Sequence, residues 1–226
     1  MSEQLSQFSE KRLVGTLLSR RPHRLSFIVA MGVVLVVGAV TMLNWSGEWG
    51  SPDLLSANRR LIFGDGEYWR VVTAVLIHKD MGHYLSNMLL LFILGYFIYG
   101  YFGFWAHPVT TFSGACFVNL LAISSYSEKV FLLGASGWVF LLGGFWLTLY
   151  FFIQRQYGWR MRIVRVVGVG LMLFFPSAFA PEVSYRTHYI GLVVGVFLGI
   201  FYFFLNRKGI RNFERYQVTA PDGLEV

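Results

Sequence analysis

Apolar residues form long runs along this chain, separated by short polar segments. Each run approaches the roughly 20 residues that a helix needs to cross the hydrocarbon core of a bilayer. The runs predict six helices, at Leu25–Leu43, His83–Tyr101, Val109–Ser124, Ser136–Ile153, Ile163–Ala180 and His188–Leu205. The predicted fold is therefore an all-α membrane protein, in which a six-helix domain at 25–205 is flanked by tails at 1–24 and 206–226.

Composition supports this interpretation and excludes an ordinary soluble domain. Apolar residues make up 55% of the 226 positions and charged residues 14%, whereas soluble domains carry about a quarter charged residues. The first apolar run is too long for the core of a signal peptide and no cleavage site follows it, so we expect a first transmembrane helix. The single cysteine, Cys116, leaves no partner for an intrachain disulfide and no multi-cysteine metal cluster.

The basic residues are unevenly distributed between the loops. Thirteen of the 19 Lys and Arg residues fall in the N-terminal tail, in the loop after the fourth helix, and in the C-terminal tail. If the helices alternate in direction, these segments share one face, whose thirteen cations and five carboxylates give a net charge of +8. The other face has six cations and seven carboxylates, a net charge of −1. Positive charge marks the cytoplasmic side, so both termini are predicted to be cytoplasmic, and the basic balance indicates topology rather than nucleic-acid binding.

Few polar side chains remain inside the predicted helices. None of the helices contains Asp or Glu, which argues against an ion-coupled carrier, and the notable polar residues are His83, Asn87, Ser136 and His188. Each lies in the outer part of the second, fourth or sixth helix, and these three helices run in the same direction. A polar group at membrane depth is costly and therefore a functional candidate. The sequence thus predicts that the four side chains converge at one depth.

Spacing indicates which helix faces meet. His83 and Asn87 are four residues apart and share a face. The sixth helix continues from His188 with three glycines at four-residue intervals, namely Gly191, Gly195 and Gly199. Small residues at this spacing let a neighbouring helix approach closely.

The fourth helix offers a face that matches this ladder. Ser136, Phe140 and Gly143 lie on one side of it. If the two faces meet, Ser136 comes within reach of His188, which can take the serine proton and make the hydroxyl a nucleophile. Because no carboxylate lies at that depth, the pair would be a Ser–His dyad and not a triad.

Each of these motifs alone has a simpler structural explanation. Gly-x-Ser-Gly and the glycine ladder are more often helix-packing motifs than catalytic ones. A lone His188 is more often a satisfied histidine inside a bundle, and we expect His78 and His107 to lie near the membrane interfaces without a function. Cys116 is expected to be a small core residue. These explanations account poorly for the arrangement as a whole.

The ordered motifs resemble those of the rhomboid family of intramembrane serine proteases. They are "YWR" at 68–70, "HYLSN" at 83–87, "GASG" at 134–137 and "HYIGLVVG" at 188–195. His78 completes the family's H-x4-H-x3-N pattern with His83 and Asn87. The resemblance extends from about Leu25 to Leu205.

This resemblance implies a role for each site residue. Ser136 would be the nucleophile and His188 the general base. Asn87, His83 and the backbone N–H of Ser136 would stabilise the oxyanion, and Gly134 and Gly137, which flank Ser136 in the motif, would belong to the same substrate-stabilising group. No metal or cofactor would be needed.

The resemblance also implies the partners. The substrates would be transmembrane helices of membrane proteins, cleaved near the outer face of the bilayer, with no nucleic acid involved. The first loop would lie partly in the outer leaflet, with Trp45 and Trp49 at the interface. We expect a multi-pass protein of a bacterial plasma membrane. The alternatives are an inactive rhomboid-like protein that binds transmembrane clients and, from a different class, a small-solute channel or carrier.

Three positions depart from the family pattern. Trp138 stands where a small or aliphatic residue is common, and Phe140 where many members have a tyrosine that stacks on the catalytic histidine. Tyr99 replaces a frequent glutamate that helps to anchor the first loop, in a pattern that includes Gly95 and Gly103. None of these changes removes a catalytic atom, but the anchoring of the first loop becomes a question for the structure.

Overall fold

The computed structural model describes residues 10–174, except 49 and 52, and residues 184–219. Within these ranges the chain forms eight α-helices and four short strands. The helices are α1 (Ser26–Trp45), α2 (Arg59–Phe63), α3 (Arg70–Leu76), α4 (Met81–Phe104), α5 (Thr111–Ser124), α6 (Ser136–Ile153), α7 (Trp159–Phe174) and α8 (Tyr185–Arg211). The strands are β1 (Glu10–Gly15), β2 (Ala57–Asn58), β3 (Phe131–Leu132) and β4 (Arg215–Thr219).

Helices occur at all six predicted places, and α6 has the predicted bounds. Three helices begin earlier than predicted, and in α4 and α8 polar side chains cap the earlier start. The Asp80 carboxylate accepts a hydrogen bond from the His83 N–H at 2.8 Å, and the Ser184 hydroxyl accepts one from the Thr187 N–H at 3.3 Å. The last residues of the fifth predicted helix, 175–180, lie outside the described residues.

Four stretches within the described ranges are long and apolar enough to cross a membrane. They are Ser26–Trp45, Met81–Ser124, Ser136–Ile153 and Tyr185–Arg211. The second stretch contains both α4 and α5. Near the junction of these two helices, the backbone leaves the helical conformation at Gly103 and again at His107. These stretches identify an integral membrane protein, and the count of six crossings stays a prediction.

Helix α6 forms the centre of the bundle. Two thirds of it (67%) is buried, compared with 28% of each of the other three apolar stretches. It packs most extensively against α8 and also contacts α4, α5 and α7. Phe145, Leu141, Leu142 and Leu149 of α6 are fully buried, so the helix that begins at Ser136 is the most buried of the four apolar stretches in the described ranges.

Glycines bring the backbones of α6 and α8 into contact. A Cβ added at Gly191 would lie 2.5 Å from the carbonyl oxygen of Gly137, and one added at Gly195 would overlap the carbonyl oxygen of Leu141. The glycine ladder of α8 therefore meets α6 as predicted.

The glycine of α6 that faces this ladder was predicted wrongly. Gly144, rather than Gly143, meets the α8 backbone, at the carbonyl oxygen of Leu192. Gly143 instead faces the Phe174 ring of α7. Consecutive helix residues point about 100° apart, so the choice between two adjacent glycines decides which neighbour each one meets.

The two tails pair with each other. Strands β1 and β4 form an antiparallel ribbon with a register irregularity between Leu13 and Gly15. At the turn that leads from α8 into β4, the guanidinium of Arg20 lies 4.5 Å from the centre of the Phe213 ring. The tails therefore emerge at the same end of the bundle.

Arg70 anchors the first loop. The residue is 5% exposed, and its side chain donates hydrogen bonds to the carbonyls of Asp53, Leu54 and Ser56, besides its ion pair with Glu67. A guanidinium can hold several carbonyls at once because its five donors are arranged in a rigid fork.

Tyr99 has no part in this anchor. Its ring instead contacts His23 in the N-terminal tail at 5.9 Å between ring centres. Although Tyr99 replaces the glutamate, the first loop is anchored by Arg70 of the "YWR" motif.

Candidate active site

Ser136 is the first residue of α6, and the preceding backbone requires glycine. Gly134 has φ +114°, in the region that favours glycine. A Cβ at this position would also lie 2.6 Å from Cε1 of His83. The Gly134 N–H donates to the carbonyl of Ala74 at 2.8 Å. The loop before the serine is therefore tied to α3 and lies directly against the His83 ring.

His188 lies in the first turn of α8 and is 6% exposed. The Phe140 ring stacks on the imidazole with 4.0 Å between ring centres and 14° between planes. The stacking that the family resemblance implied for this position is thus present, without the tyrosine hydroxyl.

The Nε2 atom of His188 is buried and has no hydrogen-bond partner among the described residues. A hydrogen bond from the Ser136 hydroxyl to this nitrogen is therefore not formed here. Such bonds are often long or poorly aligned without substrate and tighten in the substrate complex. The nitrogen that would accept a proton is not occupied by any other described donor.

Contacts one turn beyond each residue bring Ser136 and His188 into the same region. Phe140, one turn after Ser136, stacks on His188. Gly191, which lies three residues after His188 in α8, packs on the carbonyl of Gly137. The first turns of α6 and α8 therefore face each other.

The start of α8 is held by a group of hydroxyls that sequence reasoning missed. Tyr126 hydrogen-bonds to Ser184 and lies 3.3 Å from the Thr187 hydroxyl. The hydroxyls of Ser184 and Thr187 are 2.6 Å apart. Arg186 also joins the start of α8 to the end of α5, because its guanidinium donates to the carbonyl of Ser125. These contacts fix the turn that carries His188, and their residues gave no signal because they are common loop residues in the sequence.

Asn87 and His83 lie on one face of α4, as their spacing predicts. The side-chain amide of Asn87 donates to the carbonyl of His83 at 2.9 Å and is 7% exposed. An asparagine amide has a second N–H, which remains for another acceptor. The N–H of Ser136 adds a further donor, since the first amides of a helix have no intrahelical partner.

His78, which we expected near a membrane interface without a function, contacts the residue before Ser136, and its depth in the membrane stays a prediction. It is 1% exposed. Its Nε2 accepts the Ala135 N–H at 3.2 Å, and its Nδ1 lies 3.2 Å from the Thr41 hydroxyl, which donates to the carbonyl of Leu76. These partners define a neutral ring that donates from Nδ1 and accepts at Nε2.

Burial, and then the neighbouring His83, lower the pKa of His78 to about 3. The neutral state that the hydrogen bonds require is therefore also the state that the environment favours. His78 holds the residue immediately before Ser136. The signal that could have found it was its place in the H-x4-H-x3-N pattern.

His107, also expected near a membrane interface, is fully buried within the protein, and its depth in the membrane stays a prediction. Its ring packs against Gly95, lies 3.0 Å through Nδ1 from the Thr111 hydroxyl, and sits 5.8 Å from the Trp138 ring. Trp138 also contacts Phe112 at 5.1 Å between ring centres. The large ring next to the "GASG" motif is thus packed within the core.

Trp45 and Trp49 were expected at the membrane interface. The Trp45 indole donates to the carbonyl of His78 at 2.7 Å and its ring is partly exposed. Trp49 lies outside the described residues.

Comparison with known proteins gives two matches. A family model described as the Rhomboid domain matches residues 65–204, a range that includes every candidate site residue. RHOMBOID-like protein 5 of Arabidopsis thaliana is 29% identical over 148 residues, which cover 64% of this chain and 47% of the relative. The chain thus spans about half the length of that relative.

Proposed function

Because the chain belongs to the rhomboid family, we propose that it is an intramembrane serine endopeptidase with a Ser136–His188 dyad. The observation that carries the proposal is the pairing of the two first turns, in which Phe140 stacks on His188 one turn after Ser136. The unoccupied Nε2 of His188 is the second support, because a general base needs a free lone pair.

In the proposed reaction, the Ser136 hydroxyl attacks the scissile carbonyl while His188 Nε2 takes its proton. The C–N bond breaks as His188 returns this proton to the leaving amine, which leaves an ester on Ser136. Water then attacks the ester with His188 again as base, and the serine is regenerated. Each step balances with a water molecule as the only co-reactant.

The developing oxyanion would be stabilised by the Ser136 N–H, the free N–H of Asn87 and the imidazole of His83. Removing one such donor typically costs ~10²–10³-fold in rate. Gly134 and Gly137 would contribute by letting the side chains of His83 and Thr187, respectively, approach the residues beside the serine.

The substrates would be transmembrane helices, cleaved near the outer face. This assignment follows from the proposed orientation, in which the basic end of the bundle with the paired tails faces the cytoplasm. The opposite end, with Ser136 and His188, then faces outward. A bacterial plasma membrane stays an expectation, since the relative found is a plant protein.

The test is cleavage of a labelled transmembrane substrate by the purified protein in detergent. Ser136→Ala and His188→Ala should each abolish cleavage, whereas Ser124→Ala should retain it, because the Ser124 hydroxyl only donates to its own helix at Leu121. Equal cleavage by all four proteins would refute the dyad.

A client-binding protein without catalysis is the second candidate, favoured by the absence of the Ser136–His188 hydrogen bond among the described residues. A fluorophosphonate probe separates the two candidates, because it labels only an activated serine. Labelling of the wild type that is lost in Ser136→Ala supports the protease. No labelling, together with retained capture of a transmembrane client, supports the binder.

A further inference from the structure

A cavity of about 340 Å³ lies at the end of the bundle opposite the candidate active site. It forms where the last turn of α6, the first turn of α7 and the last turns of α8 meet. Phenylalanines and arginines alone line it, four of each, and the arginines are Arg155, Arg162, Arg207 and Arg211. A cavity lined by four phenylalanines and four arginines has the chemistry of an amphipathic anion site.

The arginines have little negative charge to balance them. Arg155 pairs with Glu214 at 3.1 Å. Within the described ranges, Arg207 and Arg211 form no ion pair, and the Nε of Arg162 is buried without a hydrogen-bond partner. Four cations and one carboxylate leave a net charge of +3 around the cavity. A buried unpaired donor and uncompensated positive charge both favour an anion.

Phosphate is the anion that suits this geometry, because guanidinium groups bind its oxygens in pairs. The phenylalanines add a requirement for apolar surface, and Phe204 continues this surface to the outside of the bundle, where it is 55% exposed. Basic pockets between transmembrane helices at the cytoplasmic side suit lipid headgroups. A zwitterionic lipid would bring no net charge to balance the +3.

We propose that this cavity binds the phosphate of an anionic phospholipid, whose acyl chains lie along the phenylalanines. Arg207 and Arg211 supply the charge, and Arg162 supplies the buried Nε–H. Arg162 also holds the start of α7 by donating to the carbonyl of Phe151 at 2.7 Å. A bound lipid would therefore bridge α7 and α8 and raise the stability of the protein.

The experiment is a thermal-unfolding titration of the full chain in detergent. The additives are short-chain phosphatidylglycerol, phosphatidylcholine of the same chain length, and inorganic phosphate. We expect phosphatidylglycerol to raise the unfolding temperature and the other two to leave it nearly unchanged. An arginine near a lipid surface contributes ~1 kcal/mol, about fivefold in affinity. The double variant Arg207→Gln/Arg211→Gln should therefore bind ~25-fold more weakly.

The matched control is Arg160→Gln. Arg160 is two residues from Arg162, does not line the cavity, and stacks on the Trp159 ring at 5.4 Å. It should keep the wild-type affinity. An equal response to inorganic phosphate would overturn the lipid assignment, and equal affinity in the double variant would overturn the site.

Native mass spectrometry of the lipid that stays bound through purification measures binding without relying on the unfolding temperature. Phosphatidylglycerol should remain on the wild type and on Arg160→Gln, and should be lost from the double variant. Its retention by all three proteins would also overturn the proposal.

Discussion

The contact between α6 and α8 gives a sharp prediction at Gly191. Replacing this glycine with alanine places a Cβ 2.5 Å from the carbonyl oxygen of Gly137. Real Cβ atoms essentially never come closer than 3.0 Å to such an atom. Both partners are helix backbone, so no side chain can rotate away, and the two helices must separate by about 0.5 Å at this level.

The size of the effect follows from this displacement. A misplacement of ~1 Å between reacting groups costs ~10²-fold in rate, so about half that distance between Ser136 and His188 should cost ~10-fold. Overpacking of a close contact also destabilises by ~1–3 kcal/mol. We therefore expect Gly191→Ala to remain folded but to lose ~10-fold in kcat/KM for a transmembrane substrate.

The control variant is Gly209→Ala on the same helix, where an added Cβ meets nothing within 4 Å. Both variants are compared with the wild type by substrate cleavage and by thermal unfolding in the same detergent. Gly209→Ala should match the wild type in cleavage. Wild-type cleavage by Gly191→Ala would refute the idea that the close approach of α8 to Gly137 positions His188.

Three further predictions concern single side chains. His78→Ala should lower stability by ~1–3 kcal/mol in thermal unfolding, because the buried Ala135 N–H loses its acceptor; His78→Gln, which can still accept, should lose less. Burial lowers the pKa of His78 from 6.5 to about 3. The contribution of the neutral ring to the free energy of unfolding is therefore fully present above pH 6.5 and is lost at ~1.4 kcal/mol per pH unit as the pH falls toward 3. The unfolding temperature of the wild type should fall more steeply over that range than that of His78→Gln. Phe140→Ala should reduce kcat/KM by up to ~10-fold, since the ring contact with His188 is worth ~0.5–1.5 kcal/mol, and Phe140→Tyr should retain activity; unchanged rates in both would show that stacking does not orient the imidazole. Arg70→Lys should destabilise by at least ~2 kcal/mol and expose the first loop to protease, because an ammonium cannot replace the guanidinium fork, whereas the exposed Arg59→Lys should behave as the wild type.

The sequence predicted what depends on local pattern. The bounds of α6 were predicted correctly because the helix begins within "GASG", at Ser136, and ends where the apolar run gives way to a polar segment. The starts of α4 and α8 were missed because their capping residues, Asp80 and Ser184, lie in polar segments that hydropathy assigns to loops.

Contacts between distant residues were beyond the pattern. His78 accepts from Ala135, 57 positions away; its place in the H-x4-H-x3-N pattern marks the histidine but does not indicate this partner. The neighbours of Gly143 and Gly144 depend on the rotation of α6 about its axis, which the sequence leaves open. The pairing of β1 with β4 joins segments about 200 residues apart, which read in the sequence only as basic tails.

That ribbon constrains how α8 can move. The antiparallel ladder runs over residues 10–15 and 215–219, and the adjoining turn is fastened by Arg155 to Glu214 and by Arg20 to Phe213. A piston-like shift of α8 along its axis would have to shear this whole ladder at once. A tilt that pivots at the ribbon would leave the ladder intact and displace the far end of the helix most. In such a tilt the pair of tails would be the pivot, and the end that carries His188 would move only if the contacts among Tyr126, Ser184 and Thr187 broke.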